Sequence, residues 1–156
     1  MKLALVSRQR FYVLSPNGLK TMDFSTFVRD AILNALFKNV AFPTPPATLY
    51  LAFYSSDPGR SGTGGADITT SIVAAGRVAI ASSAWSAIIA NGNARRISNA
   101  AAIALGNAAS SITNTHIGVW TAASGGNFVG KGTSPFTTTS GQPYTIAANA
   151  LVIELP

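Results

Sequence analysis

Downstream of Pro46, every apolar run of this chain is short and is cut by Gly, Ser, Thr or Asn. That pattern argues against a helical bundle, because an amphipathic helix needs a 3.6-residue apolar period sustained over about ten or more residues. Short strands and turns remain. The stretch 115–132, THIGVWTAASGGNFVGKG, shows the pattern most clearly. Ile117, Val119 and Thr121 alternate with His116, Gly118 and Trp120, the period of two that separates the faces of a strand. Ala-Ser-Gly-Gly-Asn then tolerates positive φ, at Gly125 and Gly126 in particular, and residues 128–131 run back as the second strand.

Further strands are expected at 49–54, 77–81, 84–90, 95–98 continuing into 102–105, 144–146 and 151–155, with a turn at Asn91-Gly92. A long flexible Gly/Ser loop is expected at 55–65. The fold class is therefore mainly β: an antiparallel β-sandwich or jelly-roll-like domain with one N-terminal amphipathic helix and an extended N-terminal arm. Residues 1–22 form the basic arm, and 23–156 form one domain that includes a helix over 23–40. Asp23 or Ser25 caps that helix, and Phe24, Phe27, Val28, Ala31, Ile32, Ala35 and Leu36 fill one broad face. Leu33 and Phe37 lie outside that stripe, buried by the domain itself or offered to a neighbouring subunit. Pro43, Pro45 and Pro46 end the helix.

Charge narrows the function. Only 10% of residues are charged, where about 25% is usual in soluble domains. A surface of Ala, Ser, Thr, Gly and Asn suits a protein that lives against other protein, and a secreted β-domain is also compatible. The net charge is +6, of which Lys2, Arg8, Arg10 and Lys20 supply four in an arm that has no acid. No basic stripe is interleaved with aromatics, so direct nucleic-acid recognition is not expected. The apolar start of the chain is stopped by Arg8 and Arg10, too soon for a secretion signal. Arg77 and three serines inside 72–90 argue against a membrane helix there.

Catalytic parts are missing. The chain has one histidine, no cysteine and five acids: Asp23, Asp30, Asp57, Asp67 and Glu154. A Ser-His-acid triad would have to use His116, which sits on a strand, and no G-x-S-x-G elbow exists. One histidine makes zinc improbable, and Asp57 with Asp67 across the glycine loop is only a faint hint of calcium. The loop 59–65 lacks the G-K-[ST] ending of a phosphate cradle. No catalytic, cofactor-binding or metal-binding residue is assigned.

Several stretches together resemble a family of small tailed-bacteriophage virion proteins, usually labelled small tail-fibre proteins, with relatives among head-decoration (cement) proteins. The helix 24–37, the proline-rich link and LYLAFYSSDP at 49–58 are similar to that family's opening, and 75–79 to its G-G-x-Y-A-R-x-x-V strand. The segment 115–132 follows its T-H-x-G-I-[FY]-D-A-A-S-G-G-N-L-L-x-x-G hairpin almost position by position, departing at Trp120 and Thr121. AANALVIE at 147–154 is similar to its closing strand. The resemblance implies a structural virion protein, assembled in the bacterial host cytoplasm, that decorates and stabilises the capsid. The alternative it implies is a tail-fibre or baseplate module that binds the host surface. The implied partners are the major capsid protein or other virion proteins, together with further copies of the chain. Membrane and nucleic acid are not among them. The arm has no counterpart in the family pattern, so Lys2, Arg8, Arg10, Phe11, Val13, Leu14 and Lys20 are the expected attachment residues, with Leu33 and Phe37 on the helix as a second patch.

Overall fold

Two adjacent strands with apolar residues on both faces organise the molecule. A computed structural model describes residues 12, 13 and 20–155. In chain order the elements are β1 (Tyr12–Val13), β2 (Lys20–Phe24), α1 (Thr26–Lys38), β3 (Thr48–Tyr54), α2 (Thr69–Ile72), β4 (Val78–Ala81) and β5 (Ile89–Asn91). They continue as β6 (Ala94–Ser98), β7 (Ile103–Asn107), β8 (Thr113–Trp120), β9 (Phe128–Thr137), β10 (Pro143–Ile146) and β11 (Val152–Leu155). The protein is mainly β, with antiparallel sheets and a short helix near the N-terminus, as the sequence led us to expect.

The five-stranded sheet has the order β2-β9-β8-β3-β4. Its centre is β3 against β8, with Leu51 opposite Val119 and Phe53 opposite Ile117. These four side chains share one face and are at most 3% exposed. They meet Ile68, Ile72, Ile80, Leu105, Tyr144, Ile146 and Leu151 in the main core. Leu105 comes from β7, and Tyr144 and Ile146 from β10, of the three-stranded sheet β1-β10-β7. A second three-stranded sheet runs β11-β6-β5. Every pairing is antiparallel except β1 with β10.

The opposite face of β3 and β8 is also dry. Ala52, Tyr54, Trp120 and Phe128 form a second cluster there. What covers it is the segment 55–65. Pro58 and Gly62 are buried in this segment, which the sequence suggested was a flexible loop. Its chain is hydrogen-bonded internally, Ser55 N–H to Ala66 O at 3.1 Å and Gly64 N–H to Pro58 O at 2.9 Å. Gly62 serves close packing against the Phe128 and Trp120 rings, and Gly64 and Gly65 a close approach to the backbone of residues 56–58, rather than freedom.

Helix α1 is shorter than the expected 23–40. Asp23 and Phe24 are consumed by β2, whose register places them opposite Lys131 and Gly130. Ser25 then caps the helix, its Oγ accepting from Val28 N–H at 3.2 Å. At the far end Asn39 turns left-handed (φ 54°) and its N–H reaches Asn34 O. The expected apolar face is only partly buried. Val28 and Ala31 are covered, whereas Ile32 and Leu36 join Leu33 and Phe37 at the surface. Seven apolar positions span too much of the circumference for all of them to reach one sheet.

The expected strand 84–90 is also revised. A 3₁₀ turn at Ser82–Ala84 leads into an irregular segment, and only Ile89–Asn91 pairs as a strand. Helix α2 was missed because it is a single turn started by Asp67, whose side chain accepts from Thr69 N–H at 2.9 Å. The stretch 72–90 is divided among α2, β4, the 3₁₀ turn and β5. No helix among the described residues is long and apolar enough to cross a membrane.

The hairpin 115–132 stands as the sequence indicated. Gly125 and Gly126 both have positive φ, 61° and 75°. Their surroundings differ, however. A Cβ on Gly125 would meet nothing within 4 Å, whereas one on Gly126 would lie 2.8 Å from Ala122 Cβ and 3.0 Å from Ala122 N. Gly125→Val should therefore cost only backbone strain, about 1–2 kcal/mol, and Gly126→Val about 2–4 kcal/mol. Urea denaturation of the two variants checks the order, and equal losses would contradict the turn geometry.

Candidate functional site

His116, the chain's one histidine, is half-buried on β8, opposite Tyr54 of β3 and Thr133 of β9. Its Nδ1 lies 2.8 Å from Thr115 Oγ1. Four of the five carboxylates are engaged with other partners. Asp57 accepts from the Lys131 ammonium and from Gly59 N–H, Asp67 from Thr69 N–H, and Glu154 from Asn91 Nδ2. Asp23 pairs with Arg29 at 2.5 Å and with Arg60 at 3.5 Å. Asp57 and Asp67, the pair considered for calcium, thus each hold their own stretch of backbone. Among the described residues, no group of three or more His, Asp or Glu side chains gathers as a metal site would need.

A concavity lies at the hairpin tip. It is a cleft of about 270 Å³ between the start of α1 (Ser25, Thr26, Phe27), the glycine segment (Arg60, Ser61, Thr63) and the hairpin (Trp120, Asn127, Phe128). Its floor is rigid. Trp120 Nε1 donates to Tyr54 Oη at 3.0 Å, and the Trp120 and Phe128 rings lie 5.0 Å apart. The Arg77 guanidinium sits 3.9 Å over the Trp120 ring. Its Nη1 also donates to Ala122 O at 3.0 Å and to Gly125 O at 2.8 Å, tying the turn to β4's end. Sequence reasoning missed this clip because Arg77 and Trp120 are far apart in the chain. Hydroxyls, one amide and the Arg60 guanidinium line the cleft.

Two ionisations follow from this packing. Removal from water pushes the Tyr54 phenol above its ordinary value, against the Trp120 hydrogen bond, which lowers it. The folded state then holds this proton more tightly than the unfolded chain. Its contribution to stability is complete below about pH 10 and is lost as pH rises through the folded pKa. We predict that Tyr54→Phe flattens the fall in stability above pH 10, measured by urea midpoints at pH 9 and pH 11. An unchanged slope would refute it. Asp57 is shifted down, first by the Lys131 hydrogen bond and then by Gly59 N–H, so its support is present above the usual carboxylate range and fades in acid. Its exposure keeps that effect small.

The other expected site residues are distributed as follows. Lys2, Arg8, Arg10, Phe11 and Leu14 lie outside the described residues. Val13 and Lys20 are described through their backbones alone: Val13 pairs with Thr145 and Lys20 with Thr133. Parts of the expected arm are thus strands of this chain's own sheets. Leu33 is 54% exposed and Phe37 79%, and Leu36 beside them is 72% exposed.

Residues 23–154 match the model of a family described as podophage GP4 fiber I protein gp80. No curated protein matches the chain. The matched segment takes in α1, the glycine segment and the 115–132 hairpin, the features on which the resemblance to small phage virion proteins rests. The chain therefore belongs to the podophage GP4 fiber I protein gp80 family, a family of structural phage fibre proteins of the virion.

Proposed function

We propose that this protein is a non-catalytic structural subunit that decorates and stabilises the phage capsid. The observation that carries this reading is the acid-free basic segment at the start of the chain. Lys2, Arg8 and Arg10 precede the first acid, Asp23, and lie ahead of the family match. Such a segment is suited to an acidic surface on the major capsid protein or another virion protein. The domain behind it supports the reading, since four of its five carboxylates hold a backbone N–H, an amide or a cation and His116 has Thr115 as its neighbour. We read that domain as a β-sandwich, because one face of the five-stranded sheet shares its core with β7 and β10. The second reading is a fibre or baseplate module that binds the host surface. The family's description is compatible with either location, and the hairpin cleft would be the contact in this second one.

The test starts from the chain without residues 1–11, which retains β1 and β2. Circular dichroism should match the full chain, while binding to particles lacking the protein should fall, and binding of the intact protein should weaken with salt. Full-strength binding by the truncated chain would overturn the attachment. Copy number per particle separates the two locations, because a shell takes hundreds of copies and a tail far fewer.

A further inference from the structure

The three-stranded sheet β11-β6-β5 ends on an open edge at β5. Gly92, at φ 59°, takes the first place of the two-residue turn between β5 and β6, and the residues flanking such a turn, Asn91 and Ala94, form a hydrogen-bonded pair. The ladder alternates from there, so the N–H and C=O of Ala90 point away from β6, to the rim of the sheet. Residues 86–91, SAIIAN, hold neither the charge nor the proline that usually blocks an exposed edge, and Ile88 and Ile89 are 61 and 50% exposed. Behind the edge lies one arginine on each face. Arg96 shares its face with Ile89 and Glu154, and Arg95 shares the other with Ala90. Among the described residues neither arginine makes an ion pair, and Arg96 Nε is buried without a hydrogen-bond partner. Glu154, directly across from Arg96, instead accepts from Asn91 Nδ2 at 2.7 Å. A buried guanidinium nitrogen left without a partner is uncommon in a folded protein.

We propose that the β5 edge receives an extended segment of another protein as an added strand, and that this segment carries carboxylates. Main-chain hydrogen bonds to Ala90 hold it at the rim, and Ile88 and Ile89 give it apolar contact. Charge selects the occupant. An added strand lies two strand spacings from β6, about 9.5 Å. An arginine side chain spans most of that distance, and an aspartate or glutamate on the added strand spans the rest. Arg95 has the clearer path, because it crosses over Ala90, which offers only a methyl group. A second copy of the chain is disfavoured at this edge, since β5 against β5 would bring the arginines of both copies toward one contact. The basic start of a neighbouring copy is disfavoured for the same reason, through Lys2, Arg8 and Arg10. The edge shares no residue with the hairpin cleft. Its use does not depend on where in the virion the protein sits.

The test uses the full chain without phage particles, and as probe a short end-blocked peptide of alternating glutamate and valine. Whichever face such a strand presents, its glutamates meet one of the two arginines. Amide chemical shifts should report binding with a dissociation constant below about 1 mM, centred on residues 88–91. The same peptide with lysine for glutamate should bind at least about tenfold more weakly, and salt should weaken the glutamate peptide. Ala90→Pro removes the outward N–H and leaves the β5–β6 ladder alone, so circular dichroism should be unchanged and binding lost. A probe N-methylated at every residue gives the same readout without altering the protein. Arg95→Gln combined with Arg96→Gln should weaken binding about tenfold. Binding that survives Ala90→Pro or N-methylation would place the peptide on the chain's basic start and overturn the proposal, without bearing on capsid attachment. A wild type that binds neither peptide, or binds both equally, would overturn it as well.

Discussion

Asn99→Ala should be among the most damaging substitutions in this protein, lowering stability by about 3–5 kcal/mol. Asn99 is fully buried and uses its whole amide. Oδ1 accepts from Leu151 N–H at 2.8 Å, while Nδ2 donates to Ala101 O at 2.7 Å and to Ala147 O at 2.8 Å. These partners belong to the β6–β7 connection and to the β10–β11 connection, so one side chain joins the two three-stranded sheets. Alanine would leave the buried Leu151 N–H unpaired, a desolvation cost of about 1–3 kcal/mol, would empty the space the amide fills, and would remove one donor each from the Ala101 and Ala147 carbonyls, the second of which keeps Ala150 N–H at 3.1 Å. At about 2–4 °C per kcal/mol for a domain of this size, Tm should drop by on the order of 10 °C. Asn99→Asp should rescue little, because it keeps the acceptor, loses both donors and buries a charge. Thermal and urea denaturation measure both variants. A loss below about 1 kcal/mol for Asn99→Ala would mean that water takes over the three bonds.

Gly62→Val should be comparably severe, by a different route. Gly62 is buried with φ +77°, and a Cβ there would stand 2.6 Å from Phe128 Cγ and 2.7 Å from Trp120 Cζ2. Neither ring is free to yield. Trp120 is held by Tyr54 and covered by Arg77, and Phe128 starts β9 against it. Strain at positive φ and overpacking each cost about 1–3 kcal/mol, so about 3–5 kcal/mol together is expected. Gly125→Val isolates the strain alone. The Gly62 variant should also change the Trp120 emission, because the glycine segment would lift off the ring. If Gly62→Val were no worse than Gly125→Val, the packing of segment 55–65 over the aromatic cluster would be wrong.

Features governed by neighbouring residues could be read directly from the chain. The alternation at 115–121 and the Gly125-Gly126 turn specify the hairpin, because side-chain direction and positive φ are properties of a few adjacent residues. Ser25 ahead of an apolar period starts α1, and the three prolines prevent its continuation, for equally local reasons. The resemblance carried by the same stretches led to the family, and the shortage of acids and thiols steered the reading away from catalysis.

Tertiary structure decided the rest. Nothing in the local sequence marks Asn99, among alanines, or Asn114, at the head of β8, as a buried residue. Each is fully buried, with Asn114 bridging Tyr54 N–H and Ser134 O beside the bulge in β8 and β9. Polarity in sequence says only that such a group needs partners; whether protein or water provides them depends on chain brought from dozens of residues away. The glycines of 59–65 carry the same ambiguity, since a residue without Cβ serves equally for freedom and for contact with a ring. The outer face of α1 is the clearest case. The apolar period fixes the helix, but which arc is buried depends on the sheet behind it, and there Val28 and Ala31 turned inward while Leu33, Leu36 and Phe37 were left outside. Backbone geometry is set by neighbours in the chain, whereas burial is set by neighbours in space.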